Sequence, residues 1–253
     1  TMLERIALQL YTVRDVASEG ANGYEKAVRQ IAEMGYRAVE TAGFPGTTPE
    51  AANRLFTGLG LTVAAVHAGD PLGENKTQVL EMMEALGKPA LINTRIGPHD
   101  VESMDSIRRL CDRLNEGFEV AKANGFRFGV HNHWWEFERT SGIVPNEVMR
   151  ELLNPEIFFE IDTYWVKVGG SDPAAVVREL GIRAPFLHIK DGPCNSEQPQ
   201  TAVGDGVMDI PAVIKAGGDN TEWLIVEMDS VATDVMEAVK KSYDYLKTIL
   251  TER

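Results

Sequence analysis

The chain has 253 residues, of which 43% are hydrophobic and 25% are charged, and its formal net charge is −13. These are the values of an ordinary soluble domain, and no apolar run approaches the roughly 20 residues that a membrane span needs. The negative charge would repel nucleic acid and anionic lipid, and no cluster of Lys and Arg offsets it. We therefore expect neither a nucleic-acid partner nor a membrane partner.

The first residues lead directly into an apolar segment, without the basic region, apolar region and cleavage site of a signal peptide. We therefore expect a cytoplasmic protein. Its two cysteines, Cys111 and Cys194, lack the paired spacing of a zinc ribbon or a redox pair, which predicts two free thiols.

Short apolar runs alternate with longer segments of helical periodicity along the whole chain. The runs predict strands at residues 6–10, 38–40, 62–67, 90–94, 126–131, 157–162, 186–190 and 223–227. The segments between and after them predict helices at residues 24–34, 50–59, 77–86, 104–123, 147–152, 173–180, 210–216 and 232–250. Eight such repeats predict one (β/α)8 TIM-barrel domain spanning residues 1–253. A doubly wound sheet fits less well, because no glycine-rich phosphate turn follows the first strand.

Glycines mark the ends of the predicted helices. Gly35 and Gly217, for example, follow helical segments, where a left-handed residue costs least as glycine. The one long irregular segment, residues 191–209, follows the seventh strand, and loops of this length in a compact domain are usually functional.

Polar residues end the fifth, sixth, seventh and eighth predicted strands. They are His131 and His133, Glu160 and Asp162, His188 and Lys190, and Glu227. Within each of the first three pairs the two side chains share one face of the strand, because the side-chain period is two. In a TIM barrel these strand ends are where chemistry takes place.

Asp162, His188 and Glu227 would be costly neighbours in an apolar barrel unless a cation or a dense hydrogen-bond network joined them. A divalent metal ion is the simplest cation, and mixed nitrogen and oxygen ligands suit manganese, cobalt, iron or zinc better than calcium. Each residue alone also allows a structural role. Asp162, which precedes Thr163, is compatible with a helix cap, and His188 with a buried core histidine.

Other polar and aromatic residues allow two interpretations each. Lys190 and Asp191 are compatible with a simple ion pair at the barrel rim. Trp165 is compatible with packing at the rim and also with binding the C–H face of a sugar ring.

The chain resembles the sugar phosphate isomerases/epimerases that have a xylose isomerase-like TIM barrel, over nearly its whole length. The resemblance is carried by LQLYTVR at residues 8–14, HNHWWEF at 131–137, EIDTYW at 160–165, HIKD at 188–191, GDG at 204–206 with Asp209, and VE at 226–227. These motifs are specific together, whereas each alone is weak.

The resemblance implies one divalent metal ion, Mn, Co, Zn, Fe or Mg, held by Glu, Asp, His and Glu from strands five to eight. Asp162, His188 and Glu227 match the last three positions. At the first position this chain has His131 where many relatives have Glu, and Glu136 follows five residues later. Either His131 is the ligand or Glu136 reaches back to the metal, and we favour Glu136.

The resemblance also implies that the reaction begins by removing a proton α to a carbonyl. Glu227 or Glu136 is the natural base, Lys190 is a candidate donor to a substrate oxygen, and His133 is a candidate proton shuttle. His67, at the end of strand three, is a candidate for binding a substrate hydroxyl. Gln9, Tyr11, Trp165 and Asp191 complete the expected substrate-binding residues.

An isomerase or epimerase acting on a sugar or polyol is therefore the expected function. Relatives with a histidine-rich fifth strand resemble lyases or dehydratases of keto-polyols and 3-keto-glycosides, so elimination is an alternative. A second alternative is a sugar-binding barrel without catalysis. The acidic loops after strands seven and eight favour a neutral substrate over a phosphate, and the charge argues against a nuclease of the endonuclease IV type. A homo-oligomer is compatible with the family.

Overall fold

Within residues 1–252, which the computed structural model describes, eight parallel strands form a closed barrel. Each strand pairs with its neighbours in chain order, and the last pairs with the first. The strands are β1 (Ile6–Gln9), β2 (Ala38–Thr41), β3 (Thr62–Ala68), β4 (Ala90–Asn93), β5 (Phe128–His131), β6 (Phe158–Asp162), β7 (Phe186–Ile189) and β8 (Trp223–Val226). The predicted TIM barrel is confirmed.

Helices follow the strands and flank the barrel. The α-helices of the described residues are α1 (Arg14–Ala17), α2 (Gly23–Met34), α3 (Pro49–Gly58), α4 (Lys76–Ala85), α5 (Met104–Ala123), α6 (Pro145–Leu152), α7 (Thr163–Val168), α8 (Pro173–Leu180), α9 (Ile210–Gly217) and α10 (Val235–Thr251). Short 3-10 helices cover Met2–Arg5, Leu10–Val13, Gly73–Asn75, Pro98–Asp100, Gly181–Arg183 and Gly218–Asn220. None of these helices combines the length and the apolar character needed to cross a bilayer.

Side-chain caps decide where several helices begin. Thr48 accepts a hydrogen bond from the backbone N–H of Ala51 at the start of α3, and Asp234 accepts one from Glu237 at the start of α10. These caps satisfy backbone donors that have no partner within the helix. The start predicted for the last helix, residue 232, was therefore three residues early.

Several further differences from the prediction are local. Helices α1 and α7 were not predicted. Strands β7 and β8 end one residue earlier than predicted, so Lys190 and Glu227 stand just beyond them. Gly35 has the expected left-handed backbone, with φ of 113°. Gly217 instead lies within α9, and the positive φ, of 50°, occurs at Gly218.

The barrel interior changes character along its axis. Near the N-terminal ends of the strands the Phe158 and Phe186 rings pack edge to face with their centroids 4.9 Å apart. Gly129 is required here, because a Cβ at this position would lie 2.7 Å from the Phe158 ring. Two residues further along β6 and β7 the same face carries Glu160 and His188 instead. The apolar layer therefore closes one end of the barrel, and polar side chains occupy the other.

Candidate active site and metal centre

Imidazole, carboxylate and ammonium groups converge inside the barrel at the C-terminal ends of its strands. They are Glu40 on β2, His67 on β3, His131 on β5, Glu160 and Asp162 on β6, His188 on β7, and Lys190 and Glu227 just after β7 and β8. All are buried apart from His67, whose side chain is 9% exposed. They meet because a closed parallel barrel points alternate side chains of every strand toward one axis.

Four of these residues form a group that suits a metal ion. One nitrogen or carboxylate oxygen from each of His131, Asp162, His188 and Glu227 lies within 4.8 Å of the others. His188 Nδ1 is 2.9 Å from Glu227 Oε2, and His131 Nε2 is 3.7 Å from Asp162 Oδ2. Two imidazoles and two carboxylates form a donor set typical of zinc, manganese, cobalt or iron.

Asp162 serves the fold and this group at once. Its Oδ1 accepts a hydrogen bond from the backbone N–H of Trp165 and so caps α7. Its Oδ2 is buried and accepts no hydrogen bond among the described residues. A helix cap and a candidate metal ligand were the two interpretations of this residue, and its two oxygens allow both. This oxygen lies 3.0 Å from the Lys190 ammonium, so its position suits a cation.

Lys190 is a resident cation of the group. Its Nζ lies 3.0 Å from Asp162 Oδ2, 3.1 Å from Glu227 Oε2 and 2.5 Å from Asp229 Oδ2. Burial alone would lower the pKa of Lys190, but these carboxylates outweigh it and raise the pKa well above its ordinary value. Lys190 is therefore an ammonium that neutralises part of the acidic cluster.

Glu40 and Glu160 lie on the far side of the histidines from this group. His188 Nε2 is 2.7 Å from Glu40 Oε1 and 3.0 Å from Glu160 Oε1, while His188 Nδ1 points toward Glu227. When Nε2 carries a proton, it donates to these carboxylates and leaves Nδ1 available to a metal. A carboxylate behind a metal-binding histidine fixes its tautomer and orientation in this way.

His131 has the same two-sided arrangement. Its Nδ1 lies 3.0 Å from Glu160 Oε1 and its Nε2 faces Asp162. Burial is the largest influence on His131, and it lowers the pKa to about 3. His131 is thus a neutral imidazole at physiological pH, which is the form that binds a metal.

His67 has the opposite protonation state. Its Nε2 lies 2.9 Å from Glu40 Oε1 and 2.6 Å from Glu160 Oε1. Burial opposes a charge on His67, but the two carboxylates outweigh it and raise the pKa to about 10. His67 is therefore an imidazolium that faces the cavity and compensates two buried carboxylates.

The structure does not bring Glu136 to the metal-suited group, contrary to the alternative that we favoured. Glu136 Oε2 accepts a hydrogen bond from the backbone N–H of His133 at 2.9 Å, and Oε1 lies 3.4 Å from His133 Nδ1. Burial is the main influence on Glu136 and raises its pKa. The short turn after β5 folds Glu136 back onto His133, and His131 is the strand-five member of the group.

A cavity of about 430 Å³ opens above the cluster. Of the predicted residues, Tyr11, His67, His131, His133, Trp165 and Glu227 line it. The His133 ring stacks on Trp135 with centroids 4.3 Å apart, and Trp165 lies with its ring 4.9 Å from Lys190 Nζ. Aromatic faces and polar groups therefore surround one space of a size typical of ligand pockets.

Two of the predicted substrate-binding residues are engaged elsewhere. Gln9 is fully buried, and its amide donates to Glu40 Oε1 at 2.8 Å. Asp191 is 1% exposed, and its carboxylate accepts hydrogen bonds from the backbone of Gly192, Gly204 and Met208. Gln9 positions Glu40, and Asp191 holds the long 191–209 loop together. The rim ion pair of Lys190 with Asp191 does not form.

The sequence predicted no role for three members of this cluster: Glu40, Glu160 and Asp229. Glu40 lies near the end of a predicted strand, so the strand-end rule could have found it. Glu160 shares a strand face with Asp162, as the period of two predicted. Asp229 gave no signal, because it follows the last strand by three residues and reaches Lys190 only through the barrel geometry.

Solved structures share this fold. A sugar phosphate isomerase/epimerase from Parabacteroides distasonis ATCC 8503 is 23% identical with a TM-score of 0.81, covering 96% of this chain and 97% of that one. An L-ribulose 3-epimerase is 17% identical with a TM-score of 0.75, covering 98% and 95%. The IOLI protein, whose structure contains a zinc atom, is 12% identical with a TM-score of 0.73, covering 98% of both chains. These likenesses establish the fold.

Among curated protein sequences, none is significantly similar to this chain. The model of one protein family, described as xylose isomerase-like TIM barrel, matches residues 28–249. This match includes β2 to β8 and, with them, every member of the metal-suited group. The chain belongs to the xylose isomerase-like TIM barrel family.

Proposed function

We propose that the protein is a divalent-metal-dependent isomerase or epimerase that removes a proton α to the carbonyl of a sugar or polyol. The observation that carries this proposal is the convergence of His131, Asp162, His188 and Glu227 beneath an open cavity. A structural metal site would be closed, whereas this group borders a space that a substrate can enter.

His131, Asp162, His188 and Glu227 would hold the ion. A bound divalent cation supplies Lewis acidity to the carbonyl oxygen and to the negative charge of the enediolate. The two imidazoles favour a transition metal over magnesium. The zinc atom of the IOLI protein, which has the same fold, supports this assignment.

Glu227 is the candidate base. Burial alone would raise its pKa, but Lys190 and His188 lower the pKa well below its usual range. Glu227 is therefore a carboxylate at neutral pH, and it lines the cavity where the α-carbon would lie. The α-proton passes to its carboxylate as the C–H electron pair moves into the enediolate, and the Lys190 ammonium beside it favours that negative charge.

His133 is the candidate proton donor. Its ring lines the cavity, and its Nδ1 lies near Glu136, which can orient the ring. Delivery of a proton from His133 to the opposite face of the same carbon gives epimerisation. Delivery to the neighbouring carbon gives isomerisation when the hydroxyl proton also moves from one enediolate oxygen to the other, so that the carbonyl group changes place. In both cases the Glu227 carboxyl returns its proton to solvent and His133 is reprotonated, so the enzyme is restored.

The cavity suits a neutral polyhydroxylated substrate. Tyr11 and Trp165 offer aromatic surface for C–H groups, and His67 offers an N–H to a hydroxyl. Glu227 and Asp229 line the cavity together with the cations Arg95 and His67, so its charges balance and favour a neutral ligand over a phosphate. A sugar or polyol without a phosphate is therefore the favoured substrate.

Elimination is a second candidate, favoured by the position of Glu136. Because Glu136 is bonded to His133, strand five contributes an imidazole to the group where a two-base epimerase would have a second carboxylate. In elimination Glu227 removes the α-proton, the C–O bond at the β-carbon breaks, and His133 protonates the departing oxygen. The substrate would be a keto-polyol or a 3-keto-glycoside.

Proton exchange in deuterium oxide tests the proposal. Protein reconstituted with manganese, cobalt or zinc is incubated with ketoses, inosose-type ketones and 3-keto-glycosides, and the α-proton signal is followed by NMR. We expect metal-dependent loss of that signal for at least one substrate class, with no loss after Glu227→Gln. The exposed Glu237→Gln variant on α10 is the matched control and should behave as the wild type.

The products separate the candidate reactions. A new epimer or isomer supports the first proposal, and a released alcohol or water with an unsaturated ketone supports elimination. Tight sugar binding without exchange on any substrate would instead identify a sugar-binding barrel without catalysis.

A further inference from the structure

A second cavity, of about 500 Å³, adjoins the one above the metal-suited group. The two share Gly43, His67, Ala68 and Arg95, so the imidazole of His67 stands at the boundary between them. The second cavity extends from this boundary along α4 and the start of α3 toward solvent. The first cavity alone has the volume of a ligand pocket, so a single sugar ring does not need the second one.

The lining of the second cavity combines an apolar surface with unused amides. Phe44 and Met82 are half-buried and provide the apolar part. Asn75, just before α4, and Gln78, in its first turn, provide exposed amides, and neither side chain has a hydrogen bond within residues 1–252. An aromatic or thioether face beside free amides is the combination that binds the C–H face and the hydroxyls of a sugar.

The charges of the cavity favour a neutral occupant. Glu50 and Glu81 contribute carboxylates, and Arg95 contributes one guanidinium. In the part of the chain that the structure describes, the Arg95 side chain has no ion pair and no hydrogen bond, so its five N–H donors are available to a ligand. With His67, which the cavity also borders, the lining has two cationic and two anionic groups, so its charges balance, and hydroxyl groups can bond to Glu50, Glu81 and Arg95.

We propose that this second cavity is a subsite for a glycosyl group attached to the reacting sugar, so that the substrate is a disaccharide or glycoside. This inference rests on the proposed function, which places the reacting sugar above His131 and Glu227. The attached sugar unit would pass His67 and Arg95 and lie against Phe44, with its hydroxyls within reach of Gln78. Its binding energy adds to that of the reacting ring.

A comparison of a monosaccharide with disaccharides that contain it tests the subsite. The probes are D-fructose and its 3-, 4- and 6-O-glucosylated derivatives turanose, maltulose and isomaltulose, each titrated calorimetrically into the metal-loaded protein. We expect at least one disaccharide to bind about tenfold more tightly than D-fructose, which is the gain of one or two net hydrogen bonds.

Variants of Gln78 assign that preference to the second cavity. Gln78→Ala removes an amide and Gln78→Trp fills the cavity from an exposed helical position, so neither disturbs the core. Both should abolish the disaccharide preference and leave the affinity for D-fructose unchanged. Gln30→Ala and Gln30→Trp, at an exposed position on α2, are the matched controls and should keep the preference.

The outcomes separate this inference from the proposed function. Equal affinity for D-fructose and all three disaccharides, or a preference that survives Gln78→Trp, overturns the subsite while leaving the sugar site intact. Absence of binding by every probe, together with absence of α-proton exchange, overturns both.

Discussion

Lys190 and Asp162 form a buried ion pair at the point where a metal ion would be held. The Nζ of Lys190 lies 3.0 Å from Asp162 Oδ2, an oxygen that accepts no hydrogen bond among residues 1–252. The same ammonium lies 3.1 Å from Glu227 Oε2. Lys190 and a bound metal ion would thus share their carboxylate partners, which would link the stability of the protein to its metal content.

Removal of this cation should make the protein depend on metal for its stability. In the absence of metal, Lys190→Met removes the ammonium beside Asp162 Oδ2 and leaves Glu227 with His188 alone, and we expect a loss of about 3–5 kcal/mol in the free energy of unfolding. Added metal should stabilise the variant more than the wild type, because the ion replaces the missing charge. Thermal unfolding with EDTA and with manganese measures both effects. Lys240→Met on the surface of α10 is the control. An equal metal-induced shift of the unfolding temperature in all three proteins would show that Lys190 and the metal ion do not share carboxylate partners.

The strand-five ligand can be decided by two isosteric changes. We expect His131→Asn to reduce the bound metal well below one ion per chain, because it removes a ligand nitrogen. Glu136→Gln should retain full metal content, because Glu136 contacts His133 instead. Metal analysis after chelation and reconstitution measures both. The reverse result, with metal lost only in Glu136→Gln, would return Glu136 to the ligand set.

Glu160 should tune the metal site without binding the ion. Glu160→Gln removes the charge behind His131 and His188, and we expect metal affinity to fall about 10–100-fold with the ligands unchanged. Competition with a fluorescent chelator measures the affinity. Glu156→Gln, at an exposed position, is the matched control. Wild-type affinity in Glu160→Gln would show that the carboxylate does not act through the histidines.

Glu136 should give the stability of the metal-free protein a defined pH dependence. Burial raises the pKa of Glu136 above its ordinary value of 4.5, so the folded state favours the protonated carboxyl. That contribution is fully present below pH 4.5 and is lost as the pH rises through the higher pKa of the folded state. Relative to the wild type, Glu136→Gln should therefore gain stability as the pH rises above 4.5. Urea unfolding in EDTA measures the difference in the free energy of unfolding, with the exposed Glu138→Gln as control. A difference that does not change with pH would show that the pKa of Glu136 is not raised in the folded state.

The sequence by itself determined the architecture and most of the site. Eight apolar runs separated by helical periodicity predict the barrel because each local pattern specifies one element. Residues at the strand ends, such as Asp162, His188 and Glu227, were predicted to meet, because parallel strands bring their C-terminal ends to one side. Helices α1 and α7 were missed because helices of four and six residues carry too little periodicity to be recognised.

Only the tertiary structure decided which side chains act together within the site. Glu40 contacts His188 across 148 residues of sequence, because barrel closure places strands β2 and β7 three strands apart around one narrow interior. Glu136 could reach the metal or turn away from it with equal ease on sequence grounds, and the turn after β5 binds it to the N–H of His133. Distances between residues far apart in sequence depend on how the barrel closes, and no local pattern contains them.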